Sequence, residues 1–282
     1  MMGYKDILVA VDGGEPTRRR LELAAALAER FAAHLVGLYL SILGEEPEQQ
    51  SFYDVPLFDP LYREFGRKIQ AERVTAQALF EAVAGRRGLS REWREAAGYP
   101  SQAAALHGRY VDLIVLGQLD PGETPAPLTR PLPEEVALMV GRPVLVVPYA
   151  GDFAEIGRNV LVAWDASRAA TRAVGDAMPL LAAAQSVTVL SVDPKGGPGG
   201  HGAVPGADIG LHLARHGVKA QVEATASGGI DIGNALLSRA ADLDADLLVM
   251  GAYGHSRVRE LVLGGATRTV IDSMTLPVLM AH

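Results

Sequence analysis

Near the end of the chain, residues 250–271 read MGAYGHSRVRELVLGGATRTVI. Gly251, Gly254 and Gly264 are spaced as glycine, two residues, glycine, nine residues, glycine, and Gly265 follows. Glycine lets a chain turn with positive φ and brings backbone N–H groups close to a phosphate with no Cβ in the way. Gly264 and Gly265 precede ATRTVIDSM, which reads as a helix. Its unpaired first N–H groups and dipole would favour an anion. His255, Ser256, Arg257 and Arg259 could add donors. The plainer alternative is a glycine-permitted turn capping a core helix, with Leu261, Val262, Leu263 and Val270 buried.

Position favours the phosphate. The apolar run 247–250 reads as a buried parallel strand ending at Gly251, and in an open parallel sheet ligands collect beyond the carboxyl ends of strands. A second strand, 160–164, ends at Asp165. Strands and helices alternate through both halves of the chain. Apolar runs stand at 7–11, 35–40, 160–164, 187–192, 247–250 and 278–280, and a further strand is expected at 218–225. Between them lie helical spacings such as Leu21, Ala24, Ala28 and Phe31, or Val174, Ala177, Leu181 and Ala184. Further helices are expected near 61–83, 209–216 and 230–243. Such alternation means parallel βαβ units.

The chain is written twice. DILVAVDGG (residues 6–14) resembles NVLVAWDAS (159–167), with Asp12 and Asp165 in register. Gly117 faces Gly251, and Pro143 faces Pro277. The interval from Asp112 to Pro143 equals that from Asp246 to Pro277. Two copies of one doubly wound domain are expected, 1–150 and 151–282. The same alignment sets Asp120, Arg130 and Pro131 against Gly254, Gly264 and Gly265. An added acid and prolines without N–H donors oppose a phosphate, so the first copy has lost the site. Residues 193–208 read as a loop. Their first-copy counterpart carries SFYDVPLF, which is expected to pack on its own domain.

Composition excludes several classes. A formal net charge of -7 argues against general nucleic-acid binding. With no cysteine, disulfides and thiolate chemistry are absent. No stretch reaches the roughly 18 uncharged residues of a membrane span, and the N-terminus lacks a signal-peptide layout. A soluble cytoplasmic protein is the expectation. Asp12 and Asp165 suit ribose contact or helix capping better than catalysis. Ser167 and Ser256 lack the strand–turn setting of a nucleophile. His212 and His216, four apart on a helix, have no third metal ligand at convincing spacing. TRRRLE (17–22) reads as a solvated basic face. No catalytic residue and no metal site is assigned.

The glycine spacing, Asp165 at a strand end and the doubled pattern together resemble the universal stress protein family. Its nucleotide-binding members carry glycine, two residues, glycine, nine residues, glycine, then serine or threonine. The resemblance covers both halves and implies a tandem member, each copy with a five-stranded parallel, Rossmann-like sheet of order 3-2-1-4-5. The last strands of the copies would pair as an intramolecular pseudo-dimer, with homodimerisation as a further step. It also implies that Asp165 contacts a nucleoside and the Val192 backbone an adenine, beside Ala163, Trp164 and Met250. Gly251, Gly254, His255, Ser256, Arg257, Gly264, Gly265, Ala266 and Thr267 would hold the phosphates. The implied cofactor is ATP, or ADP or AMP, with or without Mg2+, in a regulatory stress-response role. Gly265 departs from the pattern, since the family has a hydroxyl there; Thr267 is the nearest substitute. The rival readings are a nucleotide-independent assembly module of the same fold and a slow ATP hydrolase.

Overall fold

The computed structural model describes residues 3–41, 60–122, 130–194, 205–253 and 265–282. It divides into two compact units, Tyr4–Val140 and Gly141–His282.

In the first unit, β1 (Asp6–Ala10), β2 (His34–Ser41), β3 (Arg91–Ala97) and β4 (Leu113–Gly117) form parallel pairs in the order β3-β2-β1-β4. The helices are α1 (Glu15–Phe31), α2 (Pro60–Arg86), α3 (Pro100–Gly108) and α4 (Pro133–Val140). Ile7, Leu8, Leu35, Leu38, Leu113 and Ile114 have no exposed surface, as strands covered on both faces require. Pro16 in the first turn suits the start of α1, and Ala32 in the left-handed conformation closes it.

The second unit begins with β5 (Val144–Val147) and β6 (Asn159–Ala163). Then follow α5 (Arg168–Leu181), β7 (Ser186–Val192), α6 (Ala207–Arg215), β8 (Ala220–Thr225), α7 (Ile232–Asp242), β9 (Leu247–Gly251), α8 (Gly265–Ser273) and β10 (Val278–Ala281). The parallel strands run β8-β7-β6-β9-β10, the expected 3-2-1-4-5 order. The strand count differs from five. β5, last strand of the first copy, lies antiparallel on β10 with Val146 opposite Val278 and Leu145 opposite Leu279. Both are fully buried four-residue apolar strands, so each covers the other's open edge.

Two repeated aspartates turn out to hold the sheets together. Asp112 accepts from the backbone N–H of Lys5 at 2.6 Å and of Asp6 at 3.2 Å. Asp246 accepts from Gly157, Arg158 and Asn159 at 2.9 to 3.2 Å. Each carboxylate ties the chain entering the copy's first strand to the segment before its fourth.

Candidate functional site

β7, β6 and β9 are neighbouring parallel strands, so Val192, Asp165 and Gly251 reach the same carboxyl edge of the sheet. Asp165 is half-buried, and its Oδ1 accepts from the Ser167 N–H at 3.0 Å. Ser167 caps α5 by accepting from Ala170 N–H at 3.1 Å, a structural duty that fits its lack of a nucleophile setting. Ala163 ends β6, and the Trp164 N–H continues the pairing by donating to the Leu190 carbonyl at 2.9 Å.

Met250 is buried and Gly251 is the last residue of β9. A Cβ on Gly251 would stand 2.4 Å from Ala170 N and 2.7 Å from Ala169 C. Gly251 is thus required by the close approach of α5 to the strand end. It still brings the first turn of that helix to the edge where a ligand would sit. Tyr253, at φ 62, donates its N–H to Thr267 Oγ1 at 3.3 Å, and Thr267 is buried. That hydroxyl ties the turn after β9 to α8. Gly265 is exposed at the start of α8 and Ala266 half-buried. Gly254, His255, Ser256, Arg257 and Gly264 lie outside the described residues, as do Arg259, Leu261, Val262, Leu263, most of the 193–208 loop and the SFYDVPLF segment.

The first copy is filled by its own side chains. Asp12, 5% exposed, is met by Arg20 Nη2 at 2.8 Å, Arg130 Nε at 3.1 Å, the Gly14 N–H at 2.8 Å and the Thr17 hydroxyl. Arg20 also donates from Nε to the Ala10 carbonyl at 2.8 Å. Burial alone would raise the Asp12 carboxyl, but the two guanidiniums and the Thr17 and Gly14 hydrogen bonds outweigh it and hold it below its ordinary 3.8. Arg130 Nη2 lies 2.2 Å from where a Gly14 Cβ would stand, and Arg20 Nη1 2.2 Å from a Gly117 Cβ. Glu72 accepts from the Gly13 N–H at 3.2 Å, and Asp120 folds back to accept from Gly122 N–H at 2.8 Å.

This corrects the reading of TRRRLE as a solvated face. Arg18 is exposed, yet Thr17 and Arg20 are buried at 0% and 4%. The signal was present: 17, 20, 21, 24 and 28 form one helical stripe, so Arg20 lies on the face of Leu21 and Ala24. In the second copy the residue eight beyond the aspartate is Ala173 instead of arginine, and Ala170 replaces Thr17. Without a side chain to accommodate, α5 packs directly onto Gly251.

His212 and His216 are exposed, with ring centroids 4.7 Å apart. Among the described residues no group of three or more histidines and carboxylates could hold a metal ion. None of the helices there is long and apolar enough to cross a membrane.

Residues 157–282 match the model of the universal stress protein family. The match lies within the second copy. A universal stress protein from Synechocystis is 39% identical over 67 residues, 24% of this chain and 22% of that relative; the match spans about a fifth of the relative's length. A universal stress protein from Archaeoglobus fulgidus has a similar fold over 98% of this chain and 97% of its own, with a TM-score of 0.68 at 18% identity. A functionally unknown protein from Pseudomonas aeruginosa matches 98% and 92%, with a TM-score of 0.55 at 15% identity. These last two likenesses show the same Rossmann-like α/β fold over both copies.

Proposed function

We propose that the second copy binds an adenine nucleotide, ATP or its ADP or AMP form, and that the first copy binds none. The observation that carries this reading is the contrast between the two aspartates. Asp12 is closed over by Arg20 and Arg130. The residues that match Arg20 and Arg130 in the second copy's sequence are Ala173 and Gly264. The arginine cluster occupies the strand edge of the first copy, and the second copy carries no arginine at either matching position. Where the nucleotide carries Mg2+, the metal would come with the phosphates. The output is regulatory, through nucleotide-dependent shape or partner affinity in a stress response, in a cytoplasmic protein. Turnover of ATP would be slow, because the glycine-rich sequence carries no lysine to meet the terminal phosphates.

A nucleotide-independent assembly role is favoured by one feature. Gly265 lacks the family's hydroxyl, and Asp231 Oδ2 lies 3.8 Å from where its Cβ would be, placing a carboxylate near the start of α8. Calorimetry with ATP on the whole chain separates the readings. One site per chain is expected, lost in Gly254→Asp, which copies Asp120 of the first half. Two equal sites, or none, would defeat the proposal.

A further inference from the structure

The two copies differ on the outer side of their last two helices. In the first copy α3 and α4 pack side by side and run the same way. Where both begin, the Tyr99 hydroxyl donates to Glu135 at 3.3 Å. Where both end, a Cβ on Gly108 would stand 3.0 Å from Val140 Cγ2. Their inward residues keep the phase of α7 and α8. Ser101, Ala104 and Gly108 are buried, as are Gly233, Leu236 and Ala240. Pro133, Val136, Ala137 and Val140 are buried, as are Thr267, Val270, Ile271 and Met274. That phase decides which outward residues correspond.

Leu106, Leu138 and Met139 are 50%, 42% and 40% exposed. The matching residues of the second copy are Ser238, Asp272 and Ser273, all exposed. Asp272 pairs with Arg268 one turn away at 3.6 Å. The same helix pair thus forms with a polar outer side, and the fold does not require the three apolar residues. Large apolar side chains exposed together on one face mark an interaction surface.

The charges beside them are sorted by end. Glu134 and Glu135 stand in the first turn of α4, and Arg109 caps the end of α3. The second copy has Arg268, Thr269 and Ala241 at these places, so the sorting belongs to the first copy. A two-fold axis across the helix pair would set the acidic end of one chain against Arg109 of the other. It would also make the facing helices antiparallel, with their dipoles opposed. The edge of β10 is already covered by β5, so a second chain needs another surface.

We propose that the α3–α4 face of the first copy joins two chains as a symmetric homodimer. The inference is independent of whether the second copy binds a nucleotide.

Sedimentation velocity of the whole chain across the micromolar range should show monomer and dimer and nothing larger. Leu138→Asp and Met139→Ser, which copy the second half, should each raise the dimer dissociation constant, Leu138→Asp at least about tenfold. A symmetric interface carries the new charge twice, away from water. The melting temperature of the dilute protein should not change. Leu106→Ser gives a second reading should Leu138→Asp disturb α4 itself. Glu134→Arg and Arg109→Glu should each weaken the dimer, and the double variant should restore it. A chain that stays monomeric throughout overturns the proposal, and the face then serves a different partner. A mass that keeps rising with concentration overturns the two-fold arrangement, because head-to-tail contacts do not close. A dimer indifferent to Leu138→Asp and Leu106→Ser places the interface elsewhere. A double charge variant as weak as the single ones overturns the pairing of Glu134 with Arg109.

Discussion

Replacing Asp12 by asparagine keeps the shape of the first-copy cluster and removes the charge that answers two buried guanidiniums. Breaking a buried ion pair from one side is costly because the remaining charge stays uncompensated, so Asp12→Asn should lose about 3 kcal/mol at neutral pH. The pH dependence has a definite sign. The folded carboxyl titrates below 3.8, so its contribution is fully present above about pH 4 and declines as pH falls through the depressed value. Urea unfolding at pH 7 and near pH 3 should show the gap between natural protein and variant narrowing in acid. A gap constant with pH would mean that the charge of Asp12 is not what the cluster uses. Gly265 is the matching position of interest in the second copy. A serine Cβ would stand 3.8 Å from Asp231 Oδ2, an ordinary contact, and Gly265 is not among the positive-φ residues. Gly265→Ser should therefore fold normally. If the position faces the terminal phosphates, it should tighten ATP more than ADP, by up to roughly tenfold for one modest hydrogen bond. Equal changes for ATP, ADP and AMP would place residue 265 away from them.

Among the elements, helix-to-strand distance is what separates the copies. Arg20 lies between α1 and the end of β4, whereas α5 meets Gly251 with backbone atoms alone. Gly251→Ala should consequently force α5 off β9, at a cost of about 1–3 kcal/mol for overpacking, with a lower melting temperature and loss of any nucleotide binding. A variant that melts with the natural protein would show that the approach is looser than 2.4 Å implies. The apolar strands were legible because both faces are buried, and helices near 61–83, 209–216 and 230–243 became α2, α6 and α7 within a few residues. β3 was not read. Its sequence REWREAA is charged, pairs only with β2 among the described residues, and stays half-exposed; an edge strand needs no apolar run. Of the site, Asp165, Val192 and Gly251 could be placed at one strand edge from sequence alone. Tyr39 and Glu72 could not, because their roles come from tertiary neighbours distant in the chain. Arg20 was within reach had the helical stripe been weighed against the run of three arginines.

At the scale of the whole molecule, the antiparallel contact of β5 with β10 bears on how two copies share one chain. Each is the last strand of its copy, and the pair Val146–Val278 and its neighbours bury both edges. That favours the pseudo-dimer reading, in which fusion makes intramolecular a pairing that separate copies would have to find in solution. The cut between copies then matters. A fragment of residues 151–282 retains β10 but not β5, leaving Val278, Leu279 and Met280 on an open apolar edge that templates pairing with another chain. It should elute as a dimer or larger species in size-exclusion chromatography with light scattering, with mass rising with concentration. A fragment of residues 141–282 keeps β5 and matches the compact unit. Its β10 edge is already paired, so it should melt higher. The proline substitution Leu145→Pro in that longer fragment removes a strand N–H and should return it to the behaviour of the shorter one. If both fragments are monomeric and equally stable, the β5–β10 pairing contributes nothing to assembly.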